Sequence, residues 1–132
     1  MNYRVTAESF AGNDATISIK ESNINFGTTV STSETLPSPA ELFLGSFSAC
    51  ILKNVERFSE MLKFEYQKAT IKVEATRLET PPRMEDIEYI LEIHSTDDNL
   101  NVELLKKNIE KYGTIFNTVN SACRISGQII KV

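Results

Sequence analysis

At 132 residues and 14.8 kDa, the chain has the size of one domain around one hydrophobic core, which excludes a multidomain enzyme. It is 41% hydrophobic and 24% charged, with five Gly and four Pro, too apolar for a disordered chain and ordinary for a packed globule. Its 14 Lys and Arg are scattered among 18 Asp and Glu, so the net charge is −4, no basic stripe matches a phosphate backbone, and nucleic acid is not an expected partner.

Two cysteines, Cys50 and Cys123, with the single histidine His94, are too few for a disulfide scaffold or a structural zinc site. No metal and no cofactor are expected. The opening MNYRVTAESF has no apolar core of a signal peptide, and the longest uncharged apolar-rich run, Leu42 to Leu52, is 11 residues. A spanning helix needs about 20. The expectation is a cytoplasmic protein in a reducing compartment, without a membrane partner.

In chain order, Tyr3, Val5 and Ala7 alternate with Arg4, Thr6 and Glu8. After the turn signal Gly12-Asn13-Asp14, Ala15, Ile17 and Ile19 alternate with Thr16, Ser18 and Lys20. This spacing predicts a hairpin with one wet face. Ile24 and Phe26 start a short third strand, and Gly27 to Pro37 is polar, without period, and long enough for a functional loop.

Ser38-Pro39-Ala40-Glu41 is a capping box with Pro at the first helical position. The helix it starts meets no breaker until about Lys63, roughly 25 residues or about 37 Å. From Leu42 to Leu52, LFLGSFSACIL carries no charge on any face, whereas Lys53 to Lys63 is amphipathic, with Val55, Phe58 and Leu62 apolar. A helix apolar all round must be covered all round, and one small sheet covers one side, so a second subunit in a twofold dimer is expected on the other.

Strands follow at Ala69-Ile71-Val73-Ala75 and Ile87-Tyr89-Leu91-Ile93, joined through Glu79-Thr80-Pro81-Pro82-Arg83. A second helix takes Val102 to Tyr112, with Gly113 placed to end it, and a last strand runs from Cys123 to Val132 with Cys123, Ile125 and Ile129 on one face. By parity His94 lies with Glu88 and Glu92 on the solvent face. Asp97 and Asp98 are loop acids that favour the N-terminus of the second helix.

Cys50 has two readings on residues alone: a small buried hydrophobe of a core helix, or a reactive thiol that needs a nearby cation or hydrogen-bond donors. Ser38 to Leu52, SPAELFLGSFSACIL, resembles the signature helix of the OsmC/Ohr family of thiol-dependent hydroperoxide reductases, in which P-x-E-L leads to A-C or G-C. The chain order, with its Pro81-Pro82-Arg83 turn, is similar over almost the whole length. The resemblance implies an α+β fold with antiparallel sheets packed on a long central helix, as one OsmC-like domain over residues 1–132 in an intertwined homodimer. It also implies Cys50 as the thiolate that attacks peroxide.

The departures are specific. Family peroxidases carry a resolving cysteine in a motif near K-Y-C. Here Lys111-Tyr112-Gly113 places glycine there, and Cys123, ten residues on, reads as a structural core cysteine. The family's arginine has no counterpart between Gly27 and Pro37, and Arg4 is the one N-terminal arginine. The orienting carboxylate is expected ten positions before the cysteine, at Ala40. Glu41, nine positions before, matches a less characterised branch, although closing the capping box is a sufficient role for it. Arg83 matches a family motif near the dimer or the site mouth.

The resulting expectation is a peroxidase that reduces organic hydroperoxides or hydrogen peroxide in oxidative stress defence, with Cys50 as its redox cysteine and Glu41 as a secondary site residue. An external thiol serves as reductant. The alternative is a non-catalytic dimer of the same fold that binds an apolar small molecule.

Overall fold

Strand alternation and turn chemistry place three short strands at the start of the chain. β1 (Thr6–Ser9), β2 (Ala15–Ile19) and β3 (Ser22–Phe26) form an antiparallel sheet in that order, with Ile17 opposite both Ala7 and Ile24. Gly12 makes the first reversal at φ +75°, where glycine carries no steric penalty. The second reversal is Lys20-Glu21, with Lys20 at φ +53°. A lysine there sends no turn signal, so β3 is legible only from Ile24 and Phe26. The alternation runs ahead of the structure at the N-terminus: Tyr3, Arg4 and Val5 precede β1 and are exposed, so Arg4 is on no strand.

The polar loop from Gly27 to Pro37 is organised by Asp14. One oxygen of Asp14 accepts from the amides of Thr28 at 3.0 Å and Thr29 at 3.2 Å, and from the hydroxyls of Thr29 at 3.1 Å and Thr32 at 2.7 Å. The Thr32 hydroxyl, followed by the Thr28 and Thr29 donors, holds the Asp14 carboxyl below the usual aspartate range. The Gly27 amide donates to the Pro37 carbonyl at 3.0 Å and closes the loop.

The structure is a computed structural model that describes residues 1–132 and comprises two compact units, Met1–Phe43 and Leu44–Val132. α1 (Pro39–Met61) begins in the first and continues through the second. Its capping box forms as read: the Ser38 amide donates to the Glu41 carboxylate at 3.0 Å, and the Glu41 amide donates to the Ser38 hydroxyl at 3.2 Å. The helix stops short of the expected Lys63. Lys63 takes φ +55°, and the Phe64 amide donates to the Ser59 carbonyl at 3.0 Å, a Schellman ending built without glycine.

The second unit holds a sheet in the order β4 (Lys68–Glu79), β5 (Pro82–His94) and β6 (Ile125–Lys131). β4 and β5 are antiparallel and run up to the Thr80-Pro81 connection, so the Pro-Pro-Arg segment reaches into β5. β6 runs parallel to β5, which corrects the expectation of purely antiparallel sheets. A parallel pair needs a crossover, and α2 (Val102–Tyr112) with α3 (Thr114–Asn120) supplies it. The sequence reading contains no α3, because TIFNTVN is poor in helix formers; burial of Phe116 and Val119 carries it. α2 matches its expected bounds, and its N-cap is Asn101, which accepts from the Leu104 amide at 3.0 Å. Asp97 does not serve that helix end: it accepts from the amides of Glu65 and Asn99, both at 2.8 Å.

The core of this unit is one cluster. β5 buries Ile87, Tyr89, Leu91 and Ile93 together with Phe47, Ile51, Val55 and Phe58 of α1, Leu105 and Ile109 of α2, and Phe116 and Val119 of α3. The corresponding row of β4, Ala69-Ile71-Val73-Ala75, is half-buried, as suits an edge strand. Tyr89 lies opposite Gly127 of β6, and a Cβ at position 127 would fall 1.9 Å from the Tyr89 ring.

Two outcomes are expected. Gly127→Ala overpacks the Tyr89 site and destabilises by about 2 kcal/mol, read as a lower urea midpoint at unchanged slope. Asp14→Asn speeds proteolytic cleavage between Gly27 and Pro37. Because the folded-state value of Asp14 is lowered, the protection it confers is present above the ordinary aspartate range and disappears as pH falls through the lowered value; the cleavage rate of the parent protein over acid pH checks this sign.

Candidate active site

Cys50 immediately precedes Ile51, one of the α1 residues sealed into the core, so its side chain lies on the flank of the buried stripe and is half-buried. Two groups converge on its sulfur. Asn54, one turn further along α1, donates from Nδ2 to the Cys50 carbonyl at 2.8 Å and to Sγ at 3.7 Å. The second group is the backbone of Gly113, which joins α2 to α3; a Cβ built there would stand 3.3 Å from the Cys50 sulfur.

Gly113 has φ −70° and ψ 118°, a conformation open to any residue, so its backbone dihedrals do not demand glycine. Space is the constraint. The same Cβ would lie 2.9 Å from the Ile109 carbonyl oxygen and 3.0 Å from the Phe116 Cβ, tighter than ordinary contact. The Gly113 amide donates to the Ile109 carbonyl at 3.0 Å and its own carbonyl accepts from Asn117 at 2.9 Å, which lets two helices meet directly over Cys50.

The junction is held from below by aromatic and polar contacts. The Phe47 ring lies 5.8 Å from Phe116 and 6.1 Å from Tyr89. The Tyr89 hydroxyl donates to Glu110 of α2 at 3.0 Å, and Glu110 pairs with Lys106 at 2.9 Å. Burial, reinforced by the Glu110 carboxylate, pushes the Tyr89 hydroxyl well above the ordinary tyrosine range, so it acts as a fixed donor.

The remaining sequence candidates are dispersed. Glu41 is committed to the Ser38 cap, whose backbone and hydroxyl donors lower its carboxyl. Arg83 donates to the Thr80 and Pro81 carbonyls at 3.2 Å each, closing its own turn. Cys123 is not on the last strand; it occupies the turn before β6, where its thiol donates to the Met84 carbonyl at 3.5 Å. Burial first, then Glu85, raises it above the ordinary thiol range. Both cysteines are free. His94 is half-buried at the end of β5. No group of three or more His, Cys, Asp or Glu is arranged to hold a metal ion, and no helix is long and apolar enough to cross a membrane.

Asn54 is the site residue that sequence reasoning missed. Its signal was present: an amide four residues after a cysteine, inside a buried stripe, faces that cysteine on a helix.

Two small sheets and three helices, with a cysteine midway along the longest helix, define an α+β protein that carries a helical thiol. A family profile described as OsmC-like protein matches residues 32–127, and the chain belongs to that family. The OsmC-like protein from Mycoplasma pneumoniae superposes with a TM-score of 0.88 at 17% identity, covering 100% of this chain and 98% of that one. A hypothetical protein from Aquifex aeolicus VF5 gives 0.81 at 18%, covering 100% and 97%. An organic hydroperoxide resistance protein OsmC from Legionella pneumophila gives 0.69 at 14%, covering 97% of each. No curated protein matches the sequence significantly.

The proximity of position 113 to Cys50 has a direct chemical test. Gly113→Cys, treated with a mild oxidant, forms an intramolecular disulfide with Cys50 once the Ile109 carbonyl and Phe116 yield to the new Cβ, seen as a two-hydrogen mass loss in the monomeric chain with Cys123 still free. Persistence of three free thiols, or only intermolecular cross-links, contradicts this placement.

Proposed function

We propose that this protein is a thiol-dependent hydroperoxide reductase that works through Cys50 as its single redox cysteine. The observation that carries the reading is the Cys50 sulfur itself, half-buried on α1 with an amide donor aimed at it. Membership in a family whose structural relatives include organic hydroperoxide resistance proteins supports the substrate class.

The chemistry is a two-electron cycle. The Cys50 thiolate attacks the distal oxygen of the hydroperoxide and forms an S–O bond. The O–O bond breaks, and its electron pair leaves with the other oxygen, which takes a proton to become alcohol, or water when the substrate is hydrogen peroxide. Sulfur is oxidised to the sulfenic acid. With Gly113 facing the sulfur, the cycle is completed by an external thiol: its sulfur displaces water and forms a mixed disulfide. A second thiol molecule then attacks that disulfide, releases Cys50 as thiol and departs as its own disulfide. A reducing, cytoplasmic setting suits this step.

The working form in this reading is a homodimer. The uncharged first half of α1 leaves Phe43 42% exposed and Gly45, Ser46 and Ala49 open, an apolar run that a second copy covers. Glu41 stays a helix cap in this reading, with a site role secondary to it.

One observation favours a second reading, a non-catalytic dimer that binds an apolar small molecule: glycine stands where a resolving thiol would reach Cys50. Intact-mass analysis of the reduced protein with an organic hydroperoxide separates the two. The expected product is sulfenic acid on Cys50, converted to a mixed disulfide by added low-molecular-weight thiol, absent in Cys50→Ser and retained in Cys123→Ser. No adduct at millimolar peroxide, with slow alkylation of Cys50, overturns the reductase reading and favours the second.

A further inference from the structure

A polar side chain interrupts the buried stripe of α1 one turn beyond Cys50. Asn54 is 8% exposed and lies beside Val55, which is sealed into the core with Ile51. A buried amide needs hydrogen-bond partners, and the Nδ2 of Asn54 has two, both on Cys50: the carbonyl oxygen at 2.8 Å and Sγ at 3.7 Å.

The shorter contact decides which way the amide faces. Turned over, Oδ1 would confront the Cys50 carbonyl at hydrogen-bonding distance, acceptor against acceptor. The NH2 group therefore faces the carbonyl, and the sulfur also lies within its donor range at 3.7 Å. A donor so placed tells the two states of sulfur apart. A thiolate is a charged acceptor that strengthens the contact, whereas a neutral thiol accepts weakly.

Among the charged residues of the neighbouring elements, Lys53, Glu56 and Arg57 on α1 and Lys111 before Gly113 are exposed; Arg57 lies 5.4 Å from the Phe58 ring centre, Lys111 lies over the Tyr112 ring at 5.2 Å, and α3 contains no charged residue. The polar contact made to the Cys50 sulfur is thus an uncharged one.

We infer that Asn54 is a catalytic residue of the Cys50 site: its amide, locked by the Cys50 carbonyl, is the hydrogen-bond donor that stabilises the thiolate and holds it for attack. This deepens the reductase reading and rests on it for the reaction served. The donor geometry stands apart from that reading and is tested separately.

The test is the pH profile of Cys50 alkylation by iodoacetamide in the full chain, comparing the parent with Asn54→Leu and the isosteric Asn54→Asp, each checked for folding by circular dichroism. Asn54→Leu is expected to move the midpoint up by about one pH unit and slow alkylation near neutral pH about tenfold, as loss of a donor to an anion requires. Asn54→Asp, which turns an acceptor toward the sulfur, moves it further. Folded variants whose profiles overlay the parent overturn the inference.

Should both variants fail to fold, 15N-labelled parent protein decides. The Asn54 side-chain amide resonances are expected to shift with the same midpoint as Cys50 alkylation, and to stop shifting in Cys50→Ser; resonances that stay constant over that range overturn the inference. A parent protein inert to hydroperoxide, yet with an Asn54-dependent midpoint, keeps the inference and removes the reductase reading. Peroxide reactivity with overlaid profiles does the reverse.

Discussion

The burial of one stripe of α1 against the central strand of the second sheet is the constraint on which the candidate site depends. Phe47, Ile51, Val55 and Phe58 recur at helical spacing, and Ile87, Tyr89, Leu91 and Ile93 recur at strand spacing; each row is satisfied only by the other and by the two shorter helices. Once Ile51 is sealed inward, Cys50 must lie on the flank, since successive helical residues differ by about 100°. A reactive thiol needs that border position. Fully buried it would be inaccessible, and on the outer face it would have no shaped surroundings.

The second determinant is the close approach of the α2–α3 junction. Gly113 lets the two helices join beside Cys50 without strain, because a Cβ at that point would crowd the Ile109 carbonyl and Phe116. The junction is positioned from the core side by Phe47, Phe116 and Tyr89, and Tyr89 is in turn admitted by Gly127 on the neighbouring strand. Two glycines on different elements thus serve one packing problem: Gly127 makes room for the ring that supports the junction, and Gly113 is the junction.

These surroundings shape the chemistry that fits Cys50. The sulfur meets a neutral amide and a backbone, with its own carbonyl locking the amide in place. In the proposed reading, this neutral donor stabilises negative charge developing on the sulfur. The family relationship, carried by the match over residues 32–127 and by superpositions over nearly whole chains, establishes the scaffold; the reaction assigned to it rests on Cys50 and what surrounds it.

Much of this protein was determined by its sequence alone, wherever the signal is short-range. Ser38 to Glu41 specifies a helix start because its two hydrogen bonds lie within four residues. The Ala69–Ala75 and Ile87–Ile93 alternations specify strands, and Gly113 specifies where α2 ends. The motif around Cys50 points to the right family, and the resemblance singles out position 113, where a Cβ would stand 3.3 Å from the Cys50 sulfur. Other features were decided only by tertiary structure. The parallel β5–β6 pairing depends on where the crossover delivers the chain, and α3 exists because Phe116 and Val119 find the core despite weak local propensity. Lys20 and Lys63 take left-handed φ in a two-residue hairpin turn and at a helix end, places where glycine would have announced the reversal. Cys123 fell before its strand and Arg83 on its own turn, since neither strand ends nor side-chain partners are encoded in periodicity. The approach of Gly113 to Cys50, where a Cβ would stand 3.3 Å from the sulfur, joins residues far apart in the chain, and only packing of the helices against a common sheet sets such a distance.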